Sequence, residues 1–470
     1  MVGLLASIVT VAVTTRHLGP VSYGHLTTAI VFVGLWTSLT ELGIGAVIVR
    51  RVTSGVGDLT HLVRVNAGLS LVYCVPLTLL TCLTGWAVYG DDPQVVWMIA
   101  IVGGTLLLTT LSSCFQPVFL TDVRFGAIAA SDVLGRVLSL VGTVVLIAIR
   151  ADLVWFAAVQ LIPPAVALLV QGIVAHRLVG VRPIFSAKES WHLVRESLPQ
   201  TGVLIVAALY WRADGFLLSL LSTADQVGAY GLAYTIAFNA TVISAVYLTS
   251  ALSTMTNLFA TDKQAFARFA ERSVEALLFI GAPLAVVGMI LSPGLIRLLG
   301  SAEFVAAGGL TLGLLFVAVA VTFLTAALSQ ALFAAHDQVF LLRLNVLNLL
   351  GNIVLNLVLI PHYGAAGAGI SLAVSELIGL VVAGWRLTRR SPYRTPWRFG
   401  LHLCVPLAAS SATCLVLSDL PVLVTGAAAA TVYLAANLIV GPVHLKSVKA
   451  MLTQRDPAPA GEPGTEGNAS

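Results

Sequence analysis

PQTGVLIVAALYWRADGFLLSLL, residues 199–221, is an apolar run of 23 residues whose only charges are Arg212 and Asp214. Wound as a helix at 1.5 Å per residue it reaches about 35 Å, enough to cross a hydrocarbon core of ~30 Å. A charge at the centre of such a helix costs about 2.5–3.5 kcal/mol even on lenient insertion scales. The run therefore reads as a membrane span that retains two expensive side chains.

The same signal repeats outward in both directions. Of the 470 residues, 58% are hydrophobic and 10% charged, against about 25% charged in a soluble chain, and the mean hydropathy is +0.96. Fourteen spans are predicted, over 1–15, 24–48, 63–88, 95–120, 125–149, 153–175, 199–221, 228–254, 273–291, 304–333, 339–361, 366–387, 399–417 and 422–442. The class is an all-α polytopic membrane protein; the runs are too long and continuous for the alternating strands of a barrel.

Basic residues give the orientation. With the N-terminus cytoplasmic, Arg16, Arg150 and Arg297 are the only strong bases in outward loops, and Arg136 and Arg212 lie within spans. The remaining twenty of the twenty-five lie in inward loops and the tail, the bias of the positive-inside rule. Both termini are thus expected in the cytoplasm. The first residues lack the basic start and small-residue site of a cleavable signal. The first span is short, and the start is expected to lie upstream of Met1.

Other classes find little support. The five cysteines fall inside apolar runs and suggest neither disulfides nor a metal site. No GxxxxGK[ST] loop occurs, no hydrophilic loop exceeds about twenty residues, and the net charge of +4 is spread over loops instead of forming a nucleic-acid surface. No catalytic residue, cofactor or metal is expected. The tail from Asp456 is rich in Pro, Gly and Glu and is expected to be disordered.

LGPVSYGHLTTAIVFV, before and within the second span, echoes ADQVGAYGLAYTIAFN, before and within the eighth, placing Tyr23-Gly24 on Tyr230-Gly231. Six spans separate the copies, so the halves share one orientation, an arrangement known among transporters.

With this topology, several stretches resemble the polysaccharide and oligosaccharide-lipid flippases of the multidrug/oligosaccharidyl-lipid/polysaccharide exporter superfamily. They are RHLGPVSYGHLTTAI with TELGIGAVIVRR, then YWRADGFLLSLLSTADQVGAYGLAYTI, then NIVLNLVLIPHYGAAGAGIS. The basic DKQAFARFAERS after the eighth span matches an amphipathic cytoplasmic loop of that family. The resemblance implies two six-helix lobes around a central cavity, spans 1–6 in 1–175 and spans 7–12 in 199–390. A cytoplasmic loop over 176–198 joins them, two further helices occupy 391–442, and 443–470 is a cytoplasmic tail. It also implies alternating access in the bacterial cytoplasmic membrane. The cargo implied is an undecaprenyl-type lipid-diphosphate glycan, handled alongside other polysaccharide assembly proteins and without nucleic acid.

Six ionisable residues lie deep in spans: Glu41, Asp132, Arg136, Arg212, Asp214 and Glu376. Asp132 and Arg136, four apart, share one helical face and can neutralise each other; a cavity-lining role for Arg136 is the alternative. Arg212 and Asp214, two apart, are separated by about 200° and cannot pair directly. Arg212 is expected to face the cavity, held by Glu376 when empty and by the lipid diphosphate when loaded, since a guanidinium can grip phosphate with two bonds. A permanent salt bridge is the competing reading. Asp214 is expected to face a neighbouring helix, and Glu41 to pair with Arg136. Four acids against two bases suggest coupling to H⁺ or Na⁺. Asn345, Asn348, Asn352 and Asn356 form a polar stripe on one face, suited to sugar hydroxyls or to bonds between helices.

Four alternatives stay open at this level: a multidrug antiporter, a lipid-linked peptidoglycan precursor flippase, a membrane-embedded polysaccharide polymerase or ligase, and a scaffold. The short outward loops argue against an enzyme, and the buried charges against a scaffold.

Overall fold

A computed structural model describes residues 2–121, 125–180 and 182–442; the expected disordered tail and Arg124, Lys446, Lys449 and Arg455 of the orientation argument lie outside them. The described residues form helices and contain no strand: α1 (Val2–Trp36), α2 (Ile44–Thr53), α3 (Leu59–Tyr89), α4 (Pro93–Ser113), α5 (Gln116–Thr121), α6 (Gly126–Ala148), α7 (Leu153–Val159) and α8 (Ile162–Val179). They continue as α9 (Ala187–Leu221), α10 (Ala224–Asn239), α11 (Thr241–Thr261), α12 (Lys263–Leu299), α13 (Val305–Ala334), α14 (Gln338–Arg390), α15 (Trp397–Val416) and α16 (Val422–Ile439). All five cysteines are unpaired.

Twelve helical stretches among the described residues are long and apolar enough to cross a membrane. Two of them, 49 and 53 residues long, far exceed the ~20 residues of one crossing. Each holds two of the expected spans, divided at a glycine with left-handed backbone. Gly19 (φ 70°) breaks α1 before Pro20, and Gly364 (φ 54°) breaks α14. At the second break Gln226 of α10 caps the restarting helix, its Oε1 accepting from the Ala365 N–H at 3.0 Å. An expected count of fourteen corresponds to counting both stretches twice.

Two helices start earlier than their hydrophobic runs. α9 opens at Ala187, twelve residues before the apolar run, because Ser186 caps it by accepting from the Glu189 N–H, an S-x-x-E start. Its leading turns carry Glu196, which pairs with Arg50 and Arg51 of α2. Similarly, the basic segment after the eighth span is the first turns of α12, capped by Asp262 at 2.8 and 3.0 Å.

Contacts divide the described residues into two compact units, which part between Thr395 and Pro396. In the second, α15 and α16 pack together, with Ser410 Oγ donating to the Ala429 carbonyl at 2.8 Å. In the first, α1 packs on α4 and α6, α3 on α4, and α6 on α8, while α13 is surrounded by α10, α11, α12 and α14. The two groups meet chiefly where α1 lies along α10 and α9.

The two copies of the repeated motif build that seam. A Cβ on Gly24 would stand 1.7 Å from the Ala224 carbonyl oxygen, one on Gly228 2.2 Å from that of Pro20, and one on Gly231 2.5 Å from Thr27. The backbones touch, as small residues allow between membrane helices. Tyr23, Leu26 and Ala29 fill the seam from one side and Val227, Tyr230 and Ala233 from the other.

Candidate functional site

The two-residue alternation along α9 sets the site. Tyr210 and Asp214 are four apart and share one face; Arg212 points the other way. Tyr210 and Asp214 both meet α14, on opposite sides of its break. Tyr210 Oη donates to Glu376 Oε1 at 2.6 Å, and Asp214 Oδ1 accepts from Asn356 Nδ2 at 2.6 Å.

Arg212 instead lies against α1. Gly34 makes the space, since a Cβ there would come within 3.1 Å of Arg212 Nε. With Tyr23, Thr27, Tyr230, Tyr234 and Thr235 the guanidinium lines a cavity of about 90 Å³ at the seam. Among the described residues it has neither a hydrogen bond nor an ion pair. The expected Arg212–Glu376 pair is not formed, because the two groups are on opposite sides of α9 and Tyr210 holds the carboxylate. Sequence reasoning misses Tyr210, although its spacing of four from Asp214 is a usable signal.

Asp214, 1% exposed, faces two neighbouring helices, for Tyr230 Oη of α10 also donates to it, at 3.4 Å. Asn356 Nδ2 further donates to Asn352 Oδ1 at 2.9 Å. Two atoms of this buried cluster, Asn352 Nδ2 and Asn356 Oδ1, have no partner. Against the expectation that it lines a cavity, Asn352 is fully buried in this cluster. The stripe thus divides by depth: Asn345 and Asn348 reach a cavity of about 200 Å³, and Asn352 and Asn356 do not. Tyr210, Trp211, Thr322, Thr325 and Glu376 complete that cavity's polar and aromatic wall.

In the first half, Arg136 Nε donates to Asp132 Oδ1 at 2.9 Å and Nη1 to Ser7 Oγ at 2.8 Å. Glu41 does not pair with Arg136. It lies at the irregular break between α1 and α2, where Leu42 (φ 48°) and Gly43 (φ 63°) turn the chain, and accepts from Gln116 Nε2 of α5 at 3.1 Å. Arg136 is already committed on its own helix. Asn66, Ser70, Tyr73 and Ser113 gather around Glu41 in a small polar cleft.

The site therefore offers one unpartnered cation in a hydroxyl-lined seam, and acidic groups buried without a basic partner. A guanidinium so placed can bond an anion, and the hydroxyls around it can bond a polar ligand.

Several solved structures share this fold. A lipid II flippase MurJ in an inward closed conformation superposes with a TM-score of 0.78 at 13% identity, over 93% of this chain and 96% of that one. An inward-facing multidrug resistance MATE family transporter of the MOP superfamily gives 0.69 at 14% identity, over 82% and 95%. A point mutant of the Vibrio cholerae MATE transporter VcmN gives 0.58 at 15%, over 83% and 93%. Comparison with curated protein sequences gives no match. A family model described as polysaccharide biosynthesis protein matches residues 1–256, which include α1, α9, α10 and the whole Arg212 seam. The chain belongs to the polysaccharide biosynthesis protein family.

Proposed function

We propose that this protein is an alternating-access flippase that carries a lipid-diphosphate-linked oligosaccharide across the bacterial cytoplasmic membrane for surface polysaccharide assembly, and that Arg212 receives the diphosphate. The observation that carries the reading is the unpartnered Arg212 guanidinium among the hydroxyls of the seam. A half-buried guanidinium without a counter-ion is costly, and a diphosphate supplies both the charge and the acceptor geometry. The family match and the fold shared with a lipid II flippase favour a lipid-linked cargo. An undecaprenyl-type carrier, cytoplasmic termini and work beside other assembly proteins belong to the same proposal.

Coupling to H⁺ or Na⁺ is its second part. Among the described residues Asp214 and Glu376 are both buried without a basic partner, and the unpartnered Asn356 Oδ1 beside Asp214 is a further oxygen able to accept from a proton donor or hold a cation.

Deleting the gene and assaying lipid-linked intermediates by leaflet tests the function. Accumulation of a complete lipid-linked oligosaccharide in the inner leaflet is expected. Accumulated peptidoglycan precursor, or unchanged glycan lipids with a gain in drug sensitivity, would replace this reading with a precursor flippase or a drug antiporter. Unpolymerised units already in the outer leaflet would point to a polymerase or ligase. At matched protein level Arg212→Ala should abolish export; full export would remove Arg212 from the substrate's path. Transport indifferent to dissipating both ion gradients would remove the coupling.

A further inference from the structure

We propose that the cavity between α9, α13 and α14 is a sugar-ring site that admits neutral and amino-bearing rings and rejects acidic ones. It deepens the flippase reading and rests on it.

The cavity is lined by Trp211, Tyr210 and aliphatic side chains of α9, by hydroxyls of α13 and by amides of α14, with Ala326 and Leu342 among them. Flat aromatic faces against hydrogen-bonding groups suit a pyranose, which has apolar C–H faces and a polar rim. Thr322 donates its hydroxyl proton to the Ala318 carbonyl, and Thr325 to the Val321 carbonyl with a longer contact to that of Glu376 at 3.4 Å, so each oxygen keeps a lone pair to accept from a ring hydroxyl. Asn348 supplies the observation that asks for a ligand. It is only 7% exposed, it is packed against Gly379 so closely that a Cβ there would stand 2.5 Å from its Nδ2, and its amide has no hydrogen bond among the described residues. What is accessible of this amide opens onto the cavity, and a sugar hydroxyl or acetamido group there would be its hydrogen-bond partner.

Charge sets the selectivity. Among the described residues Glu376 is the only charged side chain of the wall, and no Lys, Arg or His lines it. A hexuronate would bring a second carboxylate into a half-dry space without a counter-charge, whereas an ammonium or hydroxyl would be an added donor to Glu376. Trp211 lines both this cavity and the Arg212 cavity. α9 stands between the two, so a ring seated here belongs to the oligosaccharide beyond the sugar bonded to a diphosphate at Arg212.

Saturation-transfer NMR on the purified full chain in phosphatidylethanolamine/phosphatidylglycerol nanodiscs tests the site, with methyl glycosides of glucose, N-acetylglucosamine, glucosamine and glucuronic acid as probes. Transfer to the first three, strongest to glucosamine, and none above blank to the glucuronide is expected. Asn348→Leu should weaken binding by about tenfold, the ~1.4 kcal/mol of one lost hydrogen bond. Asn345→Leu, at the exposed rim, should weaken it in the same direction with less risk to folding. Glu376→Gln should erase the preference for glucosamine. Transfer to the glucuronide equal to that to glucose, or transfer unchanged in both asparagine variants, or no transfer to any ring overturns the proposal. The probes carry neither lipid nor diphosphate, so the two readings separate. Sugar transfer with no lipid-linked intermediate in the deletion strain counts against the flippase alone, and normal export with no transfer counts against this site alone.

Discussion

Arg212 rests against Gly34: the guanidinium of α9 occupies the space that a side chain on α1 would take, 3.1 Å from the nearest Cβ position. The absence of a side chain at 34 is thus part of the cation's placement. Gly34→Ala should raise or preserve thermal stability, since alanine gains up to ~1 kcal/mol over glycine within a helix and the flexible arginine can shift. Export should nevertheless fall, and Gly34→Leu should reduce it further. Export unchanged in Gly34→Leu at matched protein level would show that the position of the guanidinium does not matter.

Tyr210 of α9 holds Glu376 of α14. Tyr210→Phe removes the donor while leaving the carboxylate 3% exposed, which costs about 1–3 kcal/mol. Glu376→Gln should cost less, because the amide is neutral and can still accept from the phenol. The double variant should then lose less than the sum of the two, as expected for residues in contact. Thermal unfolding of the four proteins in one detergent measures this; strict additivity would show that the bond contributes nothing.

These two contacts also show where reading a sequence stops. Hydropathy alone finds the long apolar helices, and the four-residue spacing of Asp132 and Arg136 gives their pairing, because both are properties of a single helix. The two-residue spacing of Arg212 and Asp214 likewise establishes that they diverge. The partners they diverge toward are set by packing between distant segments: Glu376 lies 166 residues from Tyr210, and Asn356 lies 142 from Asp214. Matching depth in the membrane suggests Arg212 with Glu376, but depth carries no information about the face each residue occupies. The expected Glu41–Arg136 pair fails for the same reason, since the break at 37–43 turns the Glu41 side chain toward α5.

Asp337, between α13 and α14, accepts from Arg386 Nε at 2.6 Å and Arg390 Nε at 3.2 Å and so ties the two ends of α14 together. The Arg386 hydrogen bond, aided by the charges of both arginines, holds its carboxyl below the ordinary aspartate range. A lowered carboxyl pKa stabilises the fold above the unfolded value of about 3.9 and loses that contribution as pH falls through the lowered one. Asp337→Asn should therefore cost about 1 kcal/mol near neutral pH, a modest figure because both arginines are partly exposed. The gap between variant and native should close as the pH falls below about 4. A gap that persists unchanged at a pH of about 3 would mean that the stabilisation does not come from the charge.

At the end of the seam expected to face outward, Arg16 of α1 caps the last turn of α12, donating from Nε to the Gly300 carbonyl at 3.1 Å and from Nη2 to that of Leu298. Beside it Thr15 Oγ1 donates to the Leu299 carbonyl at 3.0 Å. Carbonyls at a helix C-terminus lack intrahelical partners and carry partial negative charge, so a cation from the other half satisfies both needs and holds the halves together. Any outward opening must break these bonds. Arg16→Ala should therefore favour opening several-fold, with Arg16→Lys intermediate because it keeps the charge but lacks the fork. A cysteine introduced at Thr27, in an otherwise cysteine-free chain, reports this through its labelling by an impermeant thiol reagent added outside. Faster labelling in Arg16→Ala is expected. Equal rates in all three backgrounds would mean that closure at this end rests on the glycine seam alone.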